Sequence, residues 1–232
     1  MTRAAAVLAV AAVAAVGAAV ALAAQSPKAL RNAIFAAARA QHSVHYVSKQ
    51  TGPGRSGTIV GDVARGRGMQ RITFRTNGRT GRATVLVVHR TAYIRGDAFT
   101  LQSFFGFSAS QAQQHANQWI TIAHTSPAYA SVAAAVTLPS FLGEIYPQAN
   151  LTRVSGSVGG RRVVGVRGAA RHEGERLVET VYARAQGTPL PVEEDETASG
   201  GFRGRTNIGP WNRPVRVRPP GHAVTVSRVL AR

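Results

Sequence analysis

Two stretches of alternating apolar and polar residues, separated by a stretch with helical pattern, most strongly constrain what this chain can fold into. Residues 43–96 alternate with a period of two and carry turn signals such as Asn77-Gly78, which predicts an antiparallel meander of about five strands. Residues 150–220 alternate again between Gly- and Pro-containing turns, which predicts four to six more strands. Between them, residues 98–147 place apolar residues three or four apart, which predicts short helices.

Helices inserted between two halves of one sheet have one place to pack, which is the face that the sheet buries. We therefore predict an α+β fold in which short helices lie across the concave face of a strongly curved antiparallel sheet. A further helix over residues 28–41 is expected to pack there too. Alternation in the first meander predicts its buried positions: Val44, Tyr46, Ile59, Val63, Ile72, Phe74, Val85, Val87 and Ile94.

The first residues have the pattern of an export signal. Arg3 precedes an uncharged run over residues 4–24 that is made of Ala, Val and Leu apart from Gly17, and the pattern Ala21-Leu22-Ala23 resembles a cleavage site. We predict a signal peptide over residues 1–23, or an uncleaved membrane anchor, because the run is nearly long enough to span a bilayer. Residues 24–232 are then a single domain with the helical insert at about 98–147, and this domain is expected outside the cytoplasm.

Composition restricts the class of partner. The chain has no cysteine, which excludes disulfides, thiolate chemistry and cysteine-ligated metals. Its formal net charge of +18 favours anionic partners, and an anionic membrane surface is one candidate. Nucleic acid is not expected, because the protein is exported and its arginines are scattered through turns and strands. The protein is expected to be a monomer.

No group of residues has the spacing of a catalytic or metal site. His42 and His45 lie where a helix changes into a strand, so they do not share a helical face. Ser155 and Ser157 lack the Gly-x-Ser-x-Gly elbow of a nucleophile. We predict no catalytic residue, no metal, no cofactor and no enzymatic activity.

Acidic residues are few, and their positions favour structural roles. Asp97 directly precedes the helical stretch, which predicts an N-cap. The run at residues 193–196 is the one dense acidic patch. It is expected to be a solvated strand end that pairs with neighbouring arginines, rather than a metal or catalytic site.

Aromatic residues are concentrated in the helical insert, which holds eight of the chain's fifteen. One interpretation is that they simply form the core. The functional interpretation is that helices with many flat apolar groups and little charge line a pocket for an apolar guest beneath the sheet. The predicted lining residues are Tyr46, Phe74, Val87, Phe99, Phe104, Phe105, Phe107, Trp119, Tyr129, Phe141 and Tyr146.

The order of these elements resembles a known family. Residues 93–97 (YIRGD), the segment ANQWITI and the closing tract at residues 206–220 are similar to the LolA-like envelope lipoproteins of actinobacteria, of the LppX and LprAFG type. The resemblance implies a half-barrel sheet, an unclosed β-barrel, wrapped around helices, with an apolar cavity that carries lipids. Carriers of this family are tethered through a lipid-modified cysteine, which this chain lacks.

These patterns lead to one main hypothesis, which is extracytoplasmic binding or transfer of a lipid or an acylated molecule in an apolar cavity between sheet and helices. The alternative is an envelope sensor or protein-interaction module that has a filled core and no lipid cargo. An envelope hydrolase would need a convergent catalytic site, which the sequence does not show.

Overall fold

A computed structural model describes residues 25–172 and 174–231, and the predicted leader at residues 1–23 lies outside them. Its alternating segments form strands because each has apolar side chains on one face only. The strands are β1 Ser43–Gly52, β2 Arg55–Ala64, β3 Arg67–Thr76, β4 Arg79–Val88, β5 Thr91–Gly96, β6 Ile120–Ala123, β7 Ala149–Val158, β8 Arg161–His172, β9 Glu175–Arg184, β10 Pro191–Ala198, β11 Arg203–Trp211 and β12 Val224–Thr225.

The twelve strands form one unclosed sheet in the order β12-β6-β5-β4-β3-β2-β1-β11-β10-β9-β8-β7. All neighbours are antiparallel except β12 and β6. The last long strand, β11, lies between β1 and β10, where it joins the two meanders into a single sheet. The predicted fold, an unclosed, curved antiparallel sheet with short helices on one face, is confirmed.

In the described part of the chain, six α-helices accompany the sheet: α1 Pro27–Arg39, α2 Ala98–Ser103, α3 Ala109–Gln114, α4 Tyr129–Val132, α5 Leu138–Glu144 and α6 Val226–Leu230. Polar side-chain caps fix where four of them, α1, α2, α3 and α5, begin. Asp97 accepts a hydrogen bond from the Thr100 amide at 2.7 Å, which confirms the predicted N-cap. Ser108 and Thr137 form capping boxes at the starts of α3 and α5. Among the described residues, no helix is long and apolar enough to cross a membrane.

The helices divide the buried interior into two apolar clusters. In the first cluster, α1 and α5 cover the half of the sheet around β1 and β9, with Phe35, Phe141 and Val181 almost fully buried. In the second cluster, helices of the insert and α6 cover β3 to β6, around Ile94 and Leu101. The predicted core face of the first meander is confirmed, except that two of its nine positions are only half-buried: Ile59 and Phe74.

Two segments differ from the sequence prediction. Strand β6 lies inside the insert that was predicted to be helical, because Ile120 and Ile122 pair with the free edge of β5. Four residues are too short a run for alternation to be recognised reliably. Residues 213–220 were predicted as a strand but do not pair with the sheet. Three of these eight residues are prolines, which lack the amide donor that a strand hydrogen bond needs.

Glycines allow the helix layer to approach the sheet closely. The ring of Tyr46 lies directly over Gly61 on the neighbouring strand, in the space that a side chain there would need. The carbonyl oxygen of Val136, just before α5, similarly occupies the space over Gly68. Both contacts require a residue without a Cβ atom.

We expect Gly61→Ala to destabilise the protein by about 1–3 kcal/mol, because the added methyl group would overlap the Tyr46 ring and force it from its site. The matched control is Gly156→Ala in β7, where the added methyl group would meet open space. Its effect should stay within about 0.5 kcal/mol. Urea denaturation of the three proteins measures this, and equal stability of both variants would contradict the packing described.

Candidate functional site

The predicted lining residues of the first meander and α5 meet in the first cluster. The Tyr46 ring stacks on Phe141, with ring centroids 4.4 Å apart. Its hydroxyl donates to the Ala135 carbonyl at 3.0 Å and accepts from the Gln70 side-chain amide at 2.5 Å. Burial raises the pKa of Tyr46 well above its ordinary value, so the hydroxyl stays neutral. Tyr46 therefore joins the sheet to the helix layer.

Tyr146 closes the outer end of the first cluster. Its ring packs edge-on against Phe35 with centroids 4.7 Å apart, and the Arg31 guanidinium lies 4.5 Å from its centroid. Arg31 also donates to the Pro147 carbonyl at 3.0 Å. A cation–π contact and a hydrogen bond of Arg31 therefore hold this half-buried end of the helix layer together.

The remaining predicted lining residues belong to the second cluster or its edge. Val87 and Phe107 are buried in it, and Tyr129 packs against it half-buried. Trp119 is half-buried beside β6, with the Arg95 guanidinium 6.0 Å from its ring. The eleven predicted residues thus lie in the two clusters or at the edge of the second, and that they line one cavity stays a prediction.

Four phenylalanines form a partly exposed group at the edge of the second cluster, here called the aromatic rim: Phe74, Phe99, Phe104 and Phe105. The Phe74 centroid lies 5.5 Å from that of Phe99 and 5.8 Å from that of Phe104. Phe104 is 51% exposed, although Phe74 and Phe105 pack against the buried cluster. The rim is therefore a continuous apolar path from solvent to the core.

Two clefts of the described chain lie away from the helix layer. The larger, of about 610 Å³, lies at the ends of β7 to β10 and is bordered by Arg161, Arg162 and Arg184. The smaller, of about 190 Å³, is lined by Asp62, Met69 and residues 213–217. An open cavity between the sheet and the helices remains a prediction.

The acidic run at residues 193–196 is not a uniformly solvated strand end. Alternation along β10 places Asp195 on the outer face, where its carboxylate lies 2.7 Å from the Arg205 guanidinium, as the sequence predicted for this run. Glu194 points to the concave face instead, beside Thr206 on β11, and is 3% exposed. The predicted pairing with arginine is thus correct for one side of the strand and wrong for the other.

Glu179 on β9 extends this acidic inner surface. It lies opposite Glu196 in the strand register, is 1% exposed, and its Oε2 atom has no hydrogen-bond partner among the described residues. Desolvation raises the pKa of Glu179 to about 8, with smaller contributions from the charges of Glu196 and Glu144. Burial likewise raises the pKa of Glu194 well above the ordinary value. Glu144, Glu179, Glu194 and Glu196 are here called the inner carboxyl cluster.

Sequence reasoning missed Glu179, although one signal was present. Along β9 the buried positions are Leu177, Val181 and Ala183, and Glu179 has the same parity. A carboxylate at an apolar parity position is a sign of a special environment. Among the described residues, no three His, Asp or Glu side chains are arranged to hold a metal ion.

No protein-family model and no curated protein matches the chain. Among solved structures, the chain is similar to the lipoprotein LppX of Mycobacterium tuberculosis, with 15% identity and a TM-score of 0.49 over 81% of this chain and 95% of that chain. LppX is of the kind that the sequence resembles.

Two further structures are similar in chain path. A conserved protein from Thermus thermophilus has 10% identity and a TM-score of 0.46, covering 87% of this chain and 99% of that chain. MucB in complex with MucA(peri) has 14% identity and a TM-score of 0.36, covering 85% of this chain and 57% of that chain.

The raised pKa of Glu179 predicts how stability depends on pH. Between the ordinary Glu value of 4.5 and about 8, the folded protein holds a proton that the unfolded chain releases. The free energy of unfolding should therefore fall as pH rises through this range, by up to about 1.4 kcal/mol per pH unit for each such proton. Glu179→Gln, which does not ionise, is expected to reduce this slope.

Urea denaturation at several pH values between about 5 and 9 measures the slope. The matched control is Glu175→Gln, which changes an exposed carboxyl at the start of the same strand. It should leave the slope in this range unchanged. An identical pH dependence for the original protein and Glu179→Gln would contradict the assignment of the buried proton.

Proposed function

We propose that this protein is a non-enzymatic, extracytoplasmic binding or transfer protein for a lipid or an acylated molecule, whose apolar chain enters between the sheet and the helices. The observation that carries the proposal is the aromatic rim. Its exposed member, Phe104, touches Phe74, and Phe74 packs directly on the buried second cluster. An alkyl chain that adsorbs on the rim is therefore already in contact with the core.

The short helices beside the rim favour entry of an alkyl chain between the sheet and the helices. The helices α2, α3 and α4 have six, six and four residues, and each is a separate element joined by loops. Helices this short derive their stability from packing rather than from their own hydrogen bonds. An inserted alkyl chain can replace that packing, since it offers the same apolar contacts as the side chains that it displaces.

The free energy of binding requires the guest to have a long alkyl chain. Burying each methylene group contributes about 0.8 kcal/mol. Association costs about 4–15 kcal/mol before any net affinity appears. A chain of about twelve carbons or more can offset this cost without a precise polar contact, so selection by chain length is expected.

The rim also fits an anionic membrane surface as the source of the lipid. The Arg79 guanidinium lies 4.2 Å from the Phe99 centroid, so positive charge and aromatic surface occur together. Aromatic rings prefer the interfacial zone of a bilayer, and arginines are attracted to anionic headgroups.

The first test is for bound lipid. Protein produced in a lipid-containing host should release acyl lipid on organic extraction, detected by mass spectrometry, and should take up a fluorescent fatty-acyl probe. Phe104→Ser is expected to slow probe uptake about tenfold, because it removes the exposed part of the rim.

Leu230→Ser provides a matched control, because Leu230 is the other large apolar side chain that is strongly exposed in the described chain, at 61%. It removes exposed apolar surface outside the rim and should leave uptake unchanged. Equal effects of the two substitutions, or a protein with neither bound lipid nor probe uptake, would overturn the proposal.

One observation favours the alternative, a sensor or protein-interaction module with a filled core. The interior rings of Tyr46 and Phe141 are stacked and buried, and Tyr46 is further held by two hydrogen bonds. If no lipid is bound, charge reversal of the exposed arginines Arg71, Arg75 and Arg82 should abolish capture of a protein partner.

A further inference from the structure

We propose that the larger cleft of the described chain, here called the arginine cleft, binds the phosphate group of an organic phosphate ester. Its volume is about 610 Å³, and its basic lining residues are Arg161, Arg162 and Arg184. The cleft lies at the ends of β7 to β10 and includes no residue of the aromatic rim. This inference goes beyond the proposed function, because it adds a second site with a different ligand chemistry.

A tight hairpin turn positions one side of the cleft. Gly159 and Gly160 join β7 to β8, and their φ angles are 55° and 75°. Two central residues with positive φ form a type I′ turn, whose twist matches that of the strands it joins. Val158 and Arg161 are the pair that closes this hairpin. The backbone that carries Arg161 is therefore held by the turn and by strand pairing.

Strand register places two of the arginines on one face of the sheet. Val164 and Val166 of β8 belong to the first apolar cluster, so side chains of the other parity are on the outer face. These include Arg161 and Val163. Arg184 on β9 is directly opposite Val163 and shares its face. Arg161 and Arg184 are therefore diagonal neighbours with backbones about 7–8 Å apart, so their guanidiniums can converge on one anion.

Apolar residues also line the cleft. Val163 is 3% exposed although it is on the outer face, and Val158 on the neighbouring strand lines the same space. On the other side, Val192 lines the cleft where the pairing of β9 with β10 is irregular, between Pro191 and Glu193. A ligand therefore meets positive charge and apolar surface together.

The positive charge of the cleft is not neutralised by the described residues. None of the described lining residues is acidic, and none of the three arginines forms an ion pair with a described carboxylate. Glu193 follows Val192 on β10, but its carboxylate lies 3.9 Å from Nε of Arg205. Because arginine stays protonated at physiological pH, an anion that binds in the cleft relieves the mutual repulsion of its guanidiniums.

A phosphate group fits this arrangement better than a carboxylate. A planar guanidinium donates two parallel hydrogen bonds to either group. A phosphate monoester, however, carries up to two negative charges and three terminal oxygens. It can engage Arg161 and Arg184 at once and still accept from the side-chain amide of Gln186, which also lines the cleft. A carboxylate has one charge and two oxygens, so it satisfies fewer of these donors.

The size of the cleft indicates an organic phosphate rather than a free ion. Sites for small molecules have volumes of about 300–1,000 Å³, and this cleft falls within that range. A phosphate ion alone would leave the lining valines in contact with water, whereas the carbon skeleton of an ester covers them. Such an ester has two sources, which are a phospholipid headgroup at a membrane surface and a soluble phosphorylated compound.

The experiment compares phenyl phosphate, benzoate and inorganic phosphate on the full chain at pH 8. Nuclear magnetic resonance titration at about 0.15 M salt gives the affinities, because this salt screens charges more than about 8 Å away. Phenyl phosphate is expected to bind about tenfold more tightly than benzoate, since it makes more charged hydrogen bonds. It should bind about threefold more tightly than inorganic phosphate, because its ring covers the valines. The amide signals of Arg161, Arg184 and Gln186 should shift most.

Charge-matched variants distinguish the cleft from a general attraction of anions to a chain of net charge +18. Arg161→Gln combined with Arg184→Gln should weaken phenyl phosphate binding about thirtyfold. The control is Arg167→Gln combined with Arg171→Gln, which removes two exposed charges from the same face of β8 outside the cleft. Its effect should stay below about twofold. Arg184→Lys keeps the charge without the planar fork and should give an intermediate affinity.

Two further measurements keep this site separate from the acyl-chain site and identify the source of the ligand. Uptake of the fluorescent fatty-acyl probe by the cleft double variant should be unchanged, and circular dichroism shows that the variant is folded. Flotation with phosphatidylcholine vesicles that contain phosphatidic acid tests the source. Vesicle binding that is lost in the cleft variant and kept in the control assigns the phosphate to a phospholipid headgroup. Vesicle binding that both variants keep assigns it to a soluble ester.

Three results would overturn the phosphate site. The first is equal weakening of phenyl phosphate binding by the two double variants, which would mean that net charge alone attracts the anion. The second is benzoate binding as tight as that of phenyl phosphate. The third is no saturable binding of phenyl phosphate up to about 10 mM. None of these results bears on uptake of the fatty-acyl probe, so the proposed function is tested separately.

Discussion

The contact between Tyr46 and its neighbours is the interaction on which the rest of the structure depends. A curved sheet of twelve strands has a concave face that must be covered, and the helices available for this are mostly shorter than two turns. Tyr46 stacks on α5, donates to the segment before it and accepts from Gln70 on β3, while Gly61 leaves room for its ring. The packing of this one side chain positions α5, and α5 marks the boundary between the two apolar clusters.

Much of the fold could be predicted because it is encoded locally. Alternation and turn residues predicted the five strands of the first meander. The position of Asp97 predicted its cap, and apolar residues three or four apart predicted the helical insert. The sheet order could not be predicted, because β11 pairs with β1 across more than half of the chain and no local pattern encodes that contact. The short strand β6 was missed since its alternation covers only four residues.

The sequence could assign the predicted site residues to strands and to the insert, but it could not show their arrangement in space. The concentration of aromatic residues in the insert correctly indicated the layer that covers the sheet, but periodicity does not show that Phe141 and Phe107 belong to separate clusters. The inner carboxyl cluster depends on β9, β10 and α5 meeting in space. Parity alone could place Glu179 on the apolar face, and only the register shows that Glu196 lies beside it.

Burying apolar surface and burying carboxyl groups on the same concave face have opposite effects on the free energy of folding. The clusters gain stability from leaving water, whereas Glu179 and Glu194 lose the hydration of two ionisable groups, which raises their pKa values. A protein selected for stability alone would place apolar residues there. Together with the exposed aromatic rim, this supports the proposal of an amphiphilic guest.

The central claim is that an acyl chain enters the layer between the sheet and the helices. Nuclear magnetic resonance of methyl-labelled protein with a spin-labelled fatty acid tests it most directly, because the spin label broadens only nearby signals. The account predicts broadening of the buried methyl groups of Ile94, Ile120 and Val87, which lie beneath the helices. Broadening confined to exposed methyl groups such as those of Leu230, or no broadening at all, would contradict it.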